Sequence, residues 1–422
     1  MKLIPTAAHH ARQAEALLRK LENRGSAETA RVEPTVRRII SDVRQHGDES
    51  LREYAHKLDD LSPQSQLQIT RAEMQTALAS ITPELASALS TAASNIRAFA
   101  QKQLPRGFTF EVAPGVQASQ RVVPLSAVGC YVPSGRYPLP STLLMTVIPA
   151  QVAGVQRIVV VSPRPAKETL AAAALLGVEH FYRIGGAQAI AALAYGTETI
   201  PRVDKIVGPG NIYVTTAKKL VAFDCAIDML AGPTEILIAT ESGDETLLAS
   251  DIVAQAEHDP QALSIVVTAN PKLAKKIIAQ ITQQSKANPT ARASLSKQGF
   301  VFLTASPAET RAIANRVAPE HLTVDASEDE KWVTSAGSVF IGDQTPQSMG
   351  DYITGPNHVL PTGAAARARG GLSVLDFVKL ITFQQYSANG LAILGPQAAS
   401  LADAEGLAAH AASIRLRLKG KK

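Results

Sequence analysis

The sequence predicts an α/β protein of two parallel-sheet lobes, with a helical N-terminal segment and an extended helical C-terminal tail. Three observations carry that reading. From Arg157 onward, short β-branched runs alternate with single helical segments, the order that parallel βαβ packing requires. Several runs end in glycine turns that open the next helix, as in Ile184-Gly185-Gly186 and Val207-Gly208-Pro209-Gly210. A chain of 422 residues, 45% apolar and 19% charged, also has core material for two or three compact units.

Residues 1–26 read as a helix with a polar face, without the continuous apolar stretch of a secretory signal. From Ala27 to Gln103 apolar residues recur at helical spacing, at Val36, Ile39, Ile40 and Val43 and again at Leu85, Leu89, Ala93, Ile96 and Ala100. After Gly107 the texture becomes β-like over Phe108–Val112, Gln120–Val123 and Val128–Val132, and a Pro-rich turn from Val132 to Pro140 precedes another helix. Strands at Arg157–Val161, Phe181–Ile184 and Lys205–Val207 then alternate with helices Ala166–Leu176, Gln188–Leu193 and Asn211–Val221. A second series places strands at Glu235–Ala239, Leu263–Thr268, Phe300–Leu303, Leu322–Val324 and Val339–Ile341, with helices Glu245–Glu257, Lys272–Gln284 and Ala308–Val317 between them. Residues 27–127 with 235–374 are expected to form the first lobe, carrying catalytic and metal residues. Residues 128–234 form the second, with a boundary near Leu230–Thr234. Residues 375–422 read as helices too few for a core of their own, a tail that docks on another surface such as a partner subunit.

Composition narrows the function. The net charge of +5 is scattered, and only Arg415, Arg417, Lys419, Lys421 and Lys422 cluster, as a solvated end. Aromatic residues are 5% of the chain and do not interleave with basic ones, which argues against nucleic-acid binding. The longest charge-free stretch, from Tyr137 up to Arg157, is interrupted by Pro138, Pro140 and Pro149 and does not read as a membrane span. Two cysteines, Cys130 and Cys225, fit a reducing, cytosolic setting. Any metal must therefore take nitrogen and oxygen ligands.

Neither GxGxxG nor GxxxxGK[ST] occurs, so the lobes are at most incomplete Rossmann-like units. The glycine turns before Gln188 and Asn211 either present free helix N–H groups to an anion such as a pyrophosphate or are simply tight turns. Gln255 and His258, three residues apart at a helix end, share a face. Glu320 and His321 set a carboxylate beside an imidazole where a helix meets a strand, as a base and a water activator require. The Gly- and Pro-rich loop Gly350–Thr362 holds Asp351 and His358. Glu405 and His410 lie five apart on the C-terminal helix. Histidine, aspartate and glutamine together suit zinc or a similar divalent metal.

The segments VGPGN, AGPTE, QAEHDP, APEHL, GDYITGPNHVLPT and GLSVLDFVK, followed by the Glu405 to His410 spacing, stand in the order and separations of the histidinol dehydrogenase family, which the chain resembles from about Val36 to Leu416. The resemblance implies a cytoplasmic, zinc-dependent enzyme of histidine biosynthesis that oxidises L-histidinol through the aldehyde to L-histidine with two NAD⁺. It implies a homodimer with sites shared between subunits and one zinc per subunit. Gln255, His258 and Asp351 would then bind zinc, with His410 supplied by the other subunit. His321 would take the alcohol proton, and Glu320 would activate water for attack on the aldehyde. Thr234, His358 and Glu405 would join the metal ligands and His321 around the substrate, and Tyr131, Gln188 and Asn211 would contact NAD. Two positions depart from the family pattern: Ser134 stands where glycine is commoner and Gln347 where glutamate is usual. A dehydrogenase of another small alcohol on the same scaffold, or a zinc hydrolase built on Glu320, is the alternative expectation.

Overall fold

The computed structural model describes residues 1–7, 10–25, 29–62, 64–134, 138–326 and 331–419. In chain order the elements are β1 (Lys2–Pro5), α1 (Ala11–Glu22), α2 (Thr29–Asp59), β2 (Gln68–Ile69), α3 (Arg71–Ser80), α4 (Pro83–Gln103), β3 (Phe108–Ala113) and β4 (Val116–Pro124). A βαβ series follows: β5 (Ala127–Tyr131), α5 (Pro140–Ala153), β6 (Arg157–Val161), α6 (Lys167–Leu175), β7 (His180–Tyr182), α7 (Gly186–Tyr195), β8 (Lys205–Val207), α8 (Ile212–Val221) and β9 (Ala226–Ile227). The second series is β10 (Glu235–Ala239), α9 (Glu245–Ala256), β11 (Leu263–Thr268), α10 (Pro271–Gln284), α11 (Pro289–Gln298), β12 (Gly299–Leu303), α12 (Pro307–Val317), β13 (His321–Val324), β14 (Ser338–Ile341) and α13 (Gln347–Tyr352). The chain closes with β15 (Val378–Tyr386), α14 (Ala388–Ala404) and α15 (Ala408–Leu418).

Contacts divide the chain into two units: Met1–Gln103 with Ser126–Phe377, and Leu104–Leu125 with Val378–Lys422. The larger unit holds two six-stranded sheets, ordered β2-β7-β6-β5-β8-β9 and β1-β12-β11-β10-β13-β14. Apart from β2, which runs antiparallel to β7, their strands are parallel. Each sheet repeats one order: a first strand, β5 or β10, flanked on one side by its two successors and on the other by the next two. This is the doubly wound pattern, with its switch point beside that first strand. The predicted strands and helices of both series are present.

Local chemistry sets the helix starts. Asn270-Pro271, Asn288-Pro289 and Ser306-Pro307 each place a side-chain cap before a proline in the first turn, where the missing N–H costs nothing. Thr70 and Glu73 cap α3 reciprocally.

Three assignments from sequence are corrected. Residues 29–103 do not join the β10 sheet. Val32, Val36, Ile39 and Val43 of α2 share a core with Ile190, Leu193 and Val214, while α3 and α4 pack on α6 and α5. Periodicity shows that a helix buries a face but not against what. The N-terminal segment is not separate either, since β1 pairs with β12 and Leu18 and Leu21 enter the core of the second sheet. In the tail, β15 pairs along nine residues with β4, which also pairs with β3. Its β-branched and aromatic residues, Val378, Ile381, Thr382, Phe383 and Tyr386, were a readable strand signal. α11 was likewise not anticipated. Among the described residues, no helix is long and apolar enough to cross a membrane. Lys421 and Lys422 of the basic end lie outside the described residues.

The turn between β8 and α8 is held by a buried ion pair. Lys218 Nζ meets Asp228 Oδ1 and donates to Gly208 O at 3.0 Å, while Asp228 Oδ2 accepts from Gly208 N at 2.7 Å. Their side chains are 2% and 0% exposed. Gly208 has φ +112°, and a Cβ there would lie 2.2 Å from Tyr131 O, so only glycine fits. Lys218→Met leaves a buried carboxylate unpaired and is expected to cost about 3–5 kcal/mol. A lower urea midpoint with an unchanged slope would show it.

Candidate active site

Thr234 and Glu235 at the start of β10 lie beside Glu320 and His321 at the start of β13, because the two strands pair with Ile236 opposite His321. Glu320 Oε2 accepts from Thr234 Oγ1 at 2.6 Å and from Glu235 N at 2.8 Å. His321 Nδ1 lies 3.0 Å from Glu235 O. A carbonyl only accepts, so Nδ1 carries the hydrogen and Nε2 of the neutral ring is the free base. That Nε2 is buried without a hydrogen-bond partner and faces Asp351 Oδ1 at 3.6 Å. An unpartnered buried nitrogen is a place for a substrate proton or a cation.

The site shifts its ionisable groups. Burial pushes the Glu320 carboxyl up to about 7, against the opposing pull of His321, Thr234 and Glu235 N. Burial works to lower His321, yet the Glu320 and Asp351 carboxylates prevail and raise it. Burial depresses His358 below the usual imidazole value.

Asp351, expected in a loop, lies on the short helix α13. Its backbone O meets His358 Nδ1 at 2.7 Å, and His358 Nε2 lies 3.3 Å from Thr142 Oγ1 of α5. Asn357 Nδ2 donates to Met145 O at 2.7 Å, so the 350–362 segment ties the two sheets' layers together. A cavity of about 120 Å³ opens here, lined among others by His321, Phe340, Met349, Asp351 and His358.

Gln255, buried near the end of α9, donates to Thr234 Oγ1 and accepts at Oε1 from Gln347 Nε2 at 2.9 Å. His258 stands just beyond the helix and is exposed. Its Nδ1 lies 3.0 Å from Ala254 O, which leaves Nε2 free of that contact. The charges of Asp351, His258 and His358 act on one another, which marks their proximity. Amide oxygen, imidazole and carboxylate are donor types that suit zinc. Among the described residues no group of three or more His, Cys, Asp or Glu is placed to hold a metal ion. Glu405 and His410 belong to the smaller unit and do not share a helix: Glu405 caps α14, Gly406 turns with φ +75°, and His410 lies in α15.

The glycine turns are partly closed by internal hydrogen bonds. Asp59 Oδ2 takes Gly185 N at 3.0 Å and Gln188 Nε2 at 3.3 Å, and Tyr131 Oη takes Gly186 N at 3.1 Å. Asn211 caps its own helix, accepting from Tyr213 N and Val214 N. The N–H groups of Gly185, Gly186, Tyr213 and Val214 are thus satisfied internally. Tyr131 and Gln188 are buried, Gln188 Oε1 lacks a partner, and Asn211 is exposed. At the opposite switch point, Asp325 holds Thr240 Oγ1 and Glu241 N, and Asp343 holds Asp244 N. Carboxylates there oppose a phosphate.

Of the family departures, Ser134 Oγ is buried without a partner, and Gln347 orients Gln255. Residues 135–137 of the first turn lie outside the described residues. Sequence reasoning passed over Glu235, Arg24 and Asp59. Only Glu235 carried a signal, a carboxylate opening an otherwise apolar strand.

A carboxylate and a tautomer-fixed imidazole beside a cavity, on doubly wound sheets, are the arrangement of an α/β enzyme that moves protons. Residues 22–418 match the sequence profile described as histidinol dehydrogenase. The chain is 44% identical to the histidinol dehydrogenase of Methanosarcina barkeri over 96% of its length and 95% of the relative. It is also 44% identical to that of Aquifex aeolicus, covering 95% of this chain and 96% of the relative. The crystal structure of histidinol dehydrogenase from Elizabethkingia anophelis superposes with a TM-score of 0.92 at 33% identity, covering 99% of this chain and 98% of that one. The chain belongs to the histidinol dehydrogenase family and is an oxidoreductase.

Proposed function

We propose that this protein oxidises L-histidinol to L-histidinal and then to L-histidine, reducing two NAD⁺, as a cytoplasmic zinc enzyme whose site is completed by a second copy of the chain. The observation that carries the mechanism is His321, whose Nδ1 is tied to Glu235 O and whose Nε2 is left unpartnered at the cavity.

Gln255, His258 and Asp351 would hold the zinc, with the partner's His410 as the fourth ligand, and bound zinc would orient the substrate through its amine and imidazole nitrogens. Thr234, His358 and Glu405 would line the substrate around it. His321 Nε2 takes the hydroxyl proton as the carbon loses hydride to NAD⁺. Glu320 then accepts a proton from water as its oxygen adds to the aldehyde carbon, and the hydrate gives a hydride to the second NAD⁺ and a hydroxyl proton to His321 Nε2, leaving the carboxylic acid. Tyr131, Gln188 and Asn211, at the carboxyl edge of the β5 sheet, would serve the coenzyme, with the exposed Asn211 best placed for direct contact. The two-subunit reading is supported by the exposed Phe108, Phe110, Leu380, Phe383 and Tyr386 of the smaller unit.

Absorbance at 340 nm with zinc-loaded protein should show two NADH per L-histidinol, lost on chelation and restored by zinc. Folded, metal-loaded protein that forms no NADH from L-histidinol overturns the proposal. NADH from a different amino alcohol moves the substrate, and product released without NADH points to hydrolysis.

A further inference from the structure

Glu235 touches both members of the reactive pair, yet it does not reach the cavity. Its backbone N donates to Glu320 Oε2 at 2.8 Å and its backbone O receives His321 Nδ1 at 3.0 Å. Its carboxylate accepts from Glu320 N at 3.3 Å and from Gly363 N at 2.8 Å. A side chain 4% exposed with that many ties needs a counter-charge, and Arg24 supplies it from the N-terminal segment: Nε donates to Oε1 at 2.6 Å and Nη2 reaches Oε2.

Arg24 has a second hold on the same place. Its Nη1 donates to Leu21 O at 2.6 Å and Val317 O at 2.7 Å, and its Nη2 to Ala318 O at 3.2 Å. Those last two carbonyls end α12 immediately before Pro319 and Glu320. Ala318 has φ +49°, a left-handed conformation unusual for a residue with a side chain, so this turn persists only if its surroundings hold it. The neighbouring Gly25 lets the segment approach: a Cβ there would lie 2.8 Å from Gly363 O.

We infer that the Arg24–Glu235 ion pair is a positioning device that fixes Glu320 and His321 for both oxidation steps, which makes the N-terminal segment part of the active-site scaffold. The guanidinium clamps the turn leading into the pair and the carboxylate beside it at once. A planar donor with five N–H groups can do this, and a single ammonium does so only in part. The inference rests on the reading of Glu320 and His321 as the two bases.

The test uses full-length, zinc-loaded Arg24→Met, Arg24→Lys, Glu235→Gln and Gly25→Ala, with His321→Asn as a control. Arg24→Met is expected to lower kcat about 10²-fold, for L-histidinol and for supplied L-histidinal alike, the scale of an ångström of misplacement. KM for L-histidinol and zinc content should stay near wild type. Arg24→Lys should recover most of that loss. The double variant Arg24→Met/Glu235→Gln should be no slower than the slower single variant, because both act through one pair. Should Arg24→Met fail to fold, Arg24→Lys and Gly25→Ala carry the test, each with a smaller kcat deficit at unchanged KM. Wild-type kcat in folded Arg24→Met, or in Arg24→Lys and Gly25→Ala together, overturns the inference, as does a loss confined to KM. An active His321→Asn overturns instead the role assignment on which it rests.

Discussion

His321→Asn is expected to stop oxidation of the alcohol, lowering NADH formation from L-histidinol by about 10²–10⁴-fold, the range removed with a general base. Asparagine can keep the hydrogen bond to Glu235 O, so the strand junction stays intact. What disappears is Nε2, which is buried, unpartnered and fixed by tautomer toward the cavity. The check is pre-steady-state absorbance at 340 nm: the first NADH should vanish while zinc and NAD⁺ binding remain. A wild-type first turnover would remove His321 from the mechanism.

Glu320→Gln is expected to separate the two oxidations. The first NADH should form at nearly the wild-type rate, and L-histidinal should accumulate because an amide cannot take a proton from water. NADH per substrate should fall from two toward one, with the aldehyde step slower by about 10²–10³-fold. Two NADH per substrate at the normal rate would sink the assignment.

The same carboxyl sets a pH signature. With Glu320 pushed up to about 7 by burial, it is protonated below that pH. The aldehyde step should therefore decline tenfold per unit as pH falls beneath about 7, while Glu320→Gln loses that limb. The stability effect has the opposite sense. The ordinary value is 4.5, so between 4.5 and about 7 the folded state binds the extra proton. This group's contribution is fully favourable below the ordinary value and is lost as pH rises through about 7. Glu320→Gln should accordingly flatten the fall in Tm across that interval.

The sequence by itself determined most of the local elements and singled out the carboxylate–imidazole pair of the candidate site. Strands such as Arg157–Val161 and Leu263–Thr268 were legible because a buried parallel strand needs a short unbroken apolar run. Glu320 and His321 were legible because they are adjacent in the chain. Only tertiary structure decided which sheet residues 29–103 cover, that Asp59 takes the Gly185 N–H, and that Arg24 stands behind Glu235. It also divided Glu405 from His410 at Gly406 and paired β15 with β4. The physical reason is range. Periodicity and capping act over one or two turns of chain, whereas a buried charge chooses its partner by proximity in the fold. Arg24 and Glu235 are 211 residues apart and meet in the fold, where β1 and β10 belong to one sheet.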